Sequence, residues 1–113
     1  MWIPHIELRK WADQLVIAPL SANTLAKLAH GMCDNLLTSV VRAWDRTKPI
    51  VIAPAMNTHM WDHPATTEHL AALQRWYPHL TIVDPVAKRL ACGDDGLGAL
   101  APIDAIVAAV APR

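Results

Sequence analysis

Two short apolar runs, each closed by a proline, constrain this chain more than any other feature of its 113 residues. One covers residues 14–19, where Leu15-Val16-Ile17-Ala18 runs into Pro19; the other covers residues 50–53, Ile50-Val51-Ile52-Ala53, ahead of Pro54. A strand with one face in water alternates polar and apolar residues. A run that is apolar throughout and rich in β-branched side chains reads instead as a strand buried on both faces, as in a parallel sheet covered by helices.

The intervening segments carry helical patterns. Ser21 suits an N-cap, followed by Leu25, Leu28 and Ala29 on an inward face and a stop at Gly31. Asp34 is expected to cap a second helix with Leu36, Leu37, Val40, Val41 and Trp44 inward, ending before a Thr47-Lys48-Pro49 turn. Pro64 sits well as the first residue of a helix packing Leu70, Leu73 and Trp76, and residues 80–83 form a shorter strand. Residues 84–101, with glycines at 93, 96 and 98 and little periodicity, read as a long loop of the kind that serves as a lid. Pro102 opens a terminal helix with Ile103, Ile106, Val107 and Val110 on one side. Ahead of the first strand, Ile6, Leu8 and Trp11 mix with Glu7, Arg9, Lys10 and Asp13 as a short helix or an extended lead-in. Strands separated by helices predict one α/β domain of the doubly wound class, three layers in α/β/α order.

Composition narrows the function classes. Ten basic and ten acidic residues give a formal charge of zero without clustering, so no electrostatic footprint for nucleic acid or an anionic membrane is present. Cys33 and Cys92 make no disulfide framework, and no metal-ligand spacing joins them to the six histidines, which fits a reducing cytosol. No amino-terminal signal pattern is present, and no apolar stretch reaches the roughly 18 residues that span a bilayer.

Four constellations carry chemistry. Ser21-Ala22-Asn23-Thr24 sets hydroxyls, an amide and helix-start N–H groups at the carboxyl end of a strand, where Ser21 either merely caps the helix or helps hold an anionic or polar ligand. Pro54-Ala55-Met56-Asn57-Thr58-His59-Met60-Trp61 delivers an asparagine among apolar neighbours, where it bonds a backbone turn or a ligand. His5 is a solvent-exposed imidazole or a proton-transfer group with an ordinary pKa near 6.5. Cys92, in Lys88-Arg89-Leu90-Ala91-Cys92-Gly93-Asp94-Asp95-Gly96-Leu97-Gly98, is an inert small residue or a proton donor in a glycine-rich loop.

Taken in order, these segments resemble the flavoprotein family of cysteine decarboxylases. The His-x-x-Leu-Arg-x-Trp-Ala-Asp stretch starting at His5 stands sixteen residues before Ser21, as in that family, and the Pro-Ala-Met-Asn-x-x-Met-Trp pattern and the Cys-Gly-Asp flap follow. The resemblance implies a flavodoxin- or Rossmann-like sheet and FMN-dependent decarboxylation of 4′-phosphopantothenoylcysteine to 4′-phosphopantetheine in coenzyme A biosynthesis. It implies His5 as the base and Cys92 as the final proton donor, with Asn57 binding the substrate carboxylate. Met60 and Arg89 contact substrate, and Ser21, Ala22, Asn23, Thr24 and Ala55 contact FMN. In such enzymes flavin oxidises the cysteinyl thiol to a thioaldehyde, the electron sink that lets carbon dioxide leave. His30, His59, His63, His69 and His79 match no catalytic position and are expected at the surface or in caps, and Cys33 is expected in the core.

The resemblance also implies a homotrimer. Family members begin with a further strand, a flavin-contacting loop and more elements before the histidine segment. The chain is therefore expected to be the carboxyl-terminal portion of the domain, with a substrate flap about residues 84–101, and to need a second copy or a complementary amino-terminal half. A peptidyl-cysteine decarboxylase and an inactive halotolerance-type regulatory subunit are the competing functions.

Overall fold

The computed structural model describes residues 3–89 and 95–110. Three parallel strands form the sheet in the order β1-β2-β3: β1 is Leu15–Leu20, β2 Ile50–Pro54 and β3 Leu80–Ile82. Ile52 lies opposite Ile17 on one side and Ile82 on the other, so the most apolar run is the central strand, and all five of its residues are buried. This is the parallel α/β arrangement predicted from the two apolar runs, but only β2 is buried on both faces: β1 lies at the edge of the sheet, and its Val16, Ala18 and Pro19 are exposed.

One face of the sheet carries the main core. Helices α2 (Ala22–Ala29), α3 (Leu36–Arg42) and α5 (Pro64–Trp76) bring Leu25, Leu28, Val40, Val41 and Leu73 against Ile17, Ile50 and Ile52. Burying each such aliphatic side chain contributes about 1.5–3 kcal/mol. Because side chains alternate along a strand, Ala53 turns to the opposite face and packs with Ala101 and Ile106 of α6 (Ile103–Ala109). That second layer is thin: Val16, Ile103 and Val107 are all exposed. Before β1, α1 (Pro4–Trp11) packs against α3 yet contributes no buried residue of its own.

Several local expectations change. Asn35, not Asp34, caps α3: its Oδ1 accepts the Thr38 N–H at 2.8 Å, and Thr38 Oγ1 accepts the Asn35 N–H at 3.1 Å, a reciprocal box. Asp34 is drawn instead to Lys27, 2.8 Å away. Trp44 is buried as expected but beyond the end of α3, held by its indole N–H donating to Lys48 O at 3.2 Å. Trp76 is partly exposed, since it closes α5 where the helix leaves the sheet. Cys33 is exposed rather than in the core, because the α2–α3 connection runs over the surface.

Three elements were not foreseen. Asn57 caps the short helix α4 (Thr58–Asp62). Within the segment read as a loop, β4 (Val86–Arg89) and β5 (Asp95–Ala99) pair as an antiparallel hairpin. Their cross-strand hydrogen bonds make a ladder that needs no apolar alternation, so the glycine-rich composition hid it.

Candidate functional site

The site assembles at the carboxyl edge of the sheet. Ala55 N–H donates to Leu20 O at 3.0 Å, and this single bond beyond the strand ends draws the segment after β2 beside the turn into α2. Ser21 is extended (φ −75°, ψ 159°) and caps α2, its Oγ accepting the Thr24 N–H at 3.1 Å while lying 3.2 Å from Thr24 Oγ1. Ser21 is thus the cap that its sequence position suggested. The same geometry presents the helix start, with Ala22 and Asn23 in the first turn, to whatever occupies the edge.

Asn57 serves two ends at once. Its Oδ1 accepts the His59 N–H at 2.8 Å, and its backbone carbonyl accepts the Trp61 N–H at 2.9 Å. Only the amide oxygen can accept from an N–H, so the cap fixes which way the carboxamide points and leaves the Nδ2 donors on its other side. The turn reading and the ligand reading are therefore compatible, because each uses a different atom.

Between α2, α4 and α5 lies a mostly apolar cavity of about 330 Å³, lined by Ala22, Leu25, Met60, Thr66 and the histidines at 59, 63 and 69. Met60 and Ala22, two of the residues expected to touch ligands, share its wall. Thr66 is buried and donates from Oγ1 to Met60 O at 2.7 Å, which fixes the end of α4 against α5. His63 caps α5, its Nδ1 accepting the Ala65 N–H at 3.0 Å, so the ring proton of the neutral form sits on Nε2. His69 meets His30 edge to face, with ring centroids 5.1 Å apart. The cavity-lining roles of Thr66, His63 and His69 had no signal in the sequence, since a helix threonine and cap histidines are ordinary surface residues.

The hairpin docks onto this edge through Gly98. Met56 N–H donates to Gly98 O at 2.8 Å, and Gly98 takes φ +130°. A Cβ at this position would lie 2.2 Å from Met56 O, so only glycine permits the approach. The hairpin is thereby fastened beside Asn57 by main-chain atoms. Arg89 closes β4, but its side chain lies outside the described residues, as does Cys92.

His5 stands apart from this assembly. It is half-buried on α1, which packs on α3, whereas the cavity lies between α2, α4 and α5. The structure therefore unites Ser21, Ala22, Asn23, Thr24, Ala55, Asn57 and Met60 at one edge and leaves His5 on a separate helix. Among the described residues, the perturbed ionisable groups lie away from the edge. Hydrogen bonds from Lys27 and from Thr47 hold Asp34 and Asp45, respectively, below the usual carboxylate range, and burial raises the Tyr77 phenol, whose hydroxyl donates to Val41 O at 3.1 Å. Among the described residues no cluster of three or more His, Cys, Asp or Glu is arranged to hold a metal, and no helix is long and apolar enough to cross a membrane.

Comparison with known proteins gives a consistent picture. The family described as Flavoprotein matches residues 2–113. A phosphopantothenoylcysteine decarboxylase of Arabidopsis thaliana is 63% identical over 97 residues, covering 86% of this chain and 46% of its own length. Among solved structures, a PPC decarboxylase mutant complexed with pantothenoylaminoethenethiol aligns with a TM-score of 0.86 at 59% identity, over 92% of this chain and 56% of that one. The FMN binding protein AtHal3 aligns with a TM-score of 0.82 at 60% identity, over 92% and 55%. The chain spans about half the length of the decarboxylases it matches.

Proposed function

Because the chain belongs to the flavoprotein family, we propose that it acts in the FMN-dependent decarboxylation of 4′-phosphopantothenoylcysteine to 4′-phosphopantetheine. The observation that carries this reading is that the carboxyl edge of the sheet, the usual ligand position in this fold class, sets the turn into α2 beside the segment after β2, where Asn57 caps the helix whose Met60 lines a cavity together with Ala22. Relatives supply the chemistry: one is named for the decarboxylation, and a solved relative holds pantothenoylaminoethenethiol.

The residues present fit a flavin mononucleotide. A helix start favours anionic and polar groups, the Ser21 and Thr24 hydroxyls flank it, and the small Ala22 side chain opens onto the cavity. Ser21, Ala22, Asn23, Thr24 and Ala55 would hold the cofactor. When bound, FMN supplies the two-electron oxidation and return of reducing equivalents that turn a cysteinyl carboxylate into one able to lose carbon dioxide.

The chain's own groups do the rest. His5 accepts the proton released when the substrate thiol is oxidised. Asn57 Nδ2 donates to the carboxylate and holds it until the C–C bond breaks, while Met60 packs on the substrate beside it. Arg89 contacts the substrate from the flap, and Cys92 returns a proton to the carbon that lost carbon dioxide. With His5 on α1 and Asn57 after β2, a homotrimer that brings one copy's α1 to the next copy's edge would complete the site. A reducing cytosol would keep Cys33 and Cys92 as thiols.

The test is turnover. With FMN and phosphopantothenoylcysteine, the wild-type chain should form 4′-phosphopantetheine, detected by mass. Asn57→Asp, which sets a carboxylate against a carboxylate, should lower the rate about 100-fold or more, the scale of losing roughly 3 kcal/mol of transition-state stabilisation. Equal rates would remove Asn57 from the substrate and the reading with it.

A further inference from the structure

The helix that carries His5 buries none of its side chains, and its Leu8 and Trp11 border an open apolar cavity against Leu37, Val40 and Trp44 rather than a closed core. Leu8 and Trp11 are exposed, so the hydrophobic effect fixes the orientation of α1 only weakly. Charged hydrogen bonds take that place. Lys48 Nζ donates to Ala12 O at 2.9 Å and reaches Arg9 O at 3.4 Å, engaging carbonyls at the carboxyl end of α1 that the helix itself leaves without partners. The cation also complements the negative end of the helix dipole. In the other direction, Arg9 Nε donates to Ala43 O at the end of α3.

Lys48 is itself aimed by its surroundings. Its carbonyl accepts the indole N–H of buried Trp44, its ammonium lies 5.9 Å from the centre of the Trp44 ring, and its N–H donates to Asp45 O at 3.0 Å. Asp45 shapes the same turn by accepting the Thr47 N–H at 3.0 Å and the Thr47 hydroxyl at 2.7 Å. The turn into β2 thus ends in a cation held against the end of α1.

We propose that Lys48 is a positioning residue: by holding the Ala12 and Arg9 carbonyls it sets the orientation of α1 and so of His5. The proposal rests on the decarboxylase reading for what His5 does, but the placement of α1 is measurable without it. Lys48→Met keeps the aliphatic stem on Trp44 and removes the donors, whereas Lys48→Arg keeps a cation.

In the full chain, amide hydrogen exchange at Leu8 to Ala12 should speed about tenfold or more in Lys48→Met while β2 amides keep their protection, and the His5 ring resonances should move. Lys48→Arg should restore both. In turnover, kcat should fall about tenfold with KM within twofold. Unchanged α1 exchange and His5 resonances would overturn the tether. If Lys48→Met does not fold, Arg9→Met, which removes the reciprocal bond to Ala43, must loosen α1 in the same selective way or the proposal fails. A wild-type chain without turnover would sink the decarboxylase reading alone, leaving exchange to decide the tether.

Discussion

Asn57 and His5 are positioned by opposite means. Asn57 follows the most buried strand of the sheet, is braced by the Ala55–Leu20 and Met56–Gly98 main-chain bonds, and has its carboxamide turned by a cap. His5 rides on an eight-residue helix with no buried side chain, held to the body by Arg9 and Lys48. A group set by backbone geometry moves only if the sheet edge moves. A group set by long charged side chains follows those side chains, and a single substitution can release it without unfolding the core.

The largest effect should come from breaking the main-chain side of this contrast. Gly98→Val places a β-branched side chain at φ +130° with its Cβ on Met56 O. Such a clash against backbone cannot be relieved by a rotamer change, so a loss of about 2–4 kcal/mol is expected unless the hairpin lifts away. In either case the Met56 amide should lose its exchange protection. A Gly98→Val variant with the Met56 amide still protected would show that the hairpin does not depend on this approach.

The smallest effect sharpens the tethered side. Hydrogen bonds from Thr47 hold the Asp45 carboxyl below its ordinary value of 3.8, so the ionised form is favoured in the folded chain. A depressed carboxyl stabilises the fold above the unfolded value, and that contribution fades as pH falls through the lower folded one. The turn that aims Lys48 should therefore slacken only below about pH 4. Asp45→Asn should flatten the acid side of a stability–pH curve slightly, with little change at neutral pH because the group is solvent-exposed. An unaltered acid limb would mean that Asp45 does not support the turn.

What could be read from the sequence follows the same division. Apolar runs declare strands, so the positions of β1 and β2 and the parallel sheet were legible, as were Ser21 as a cap and Pro64 as a helix start, whereas the exposed face of β1 was not, because an apolar run does not tell an edge strand from a central one. Motif residues at the sheet edge were legible through their resemblance to a family. The hairpin was not, because its order comes from cross-strand bonds and from Gly98 meeting Met56, a contact between distant parts of the chain that no local pattern encodes. Asn35 displaced Asp34 as the α3 cap through a reciprocal bond with Thr38, which only the turn geometry chooses between adjacent acceptors. The tethers on α1 were equally hidden, since Lys48 lies 36 residues from the carbonyl it caps.

Titration of the purified chain with FMN, followed by quenching of flavin fluorescence, tests the central claim most directly. Saturable quenching near one FMN per chain, with 4′-phosphopantetheine formed once substrate is added, is the result expected of an edge built to hold flavin and a cysteinyl carboxylate. A folded chain that neither quenches FMN nor forms product would contradict it.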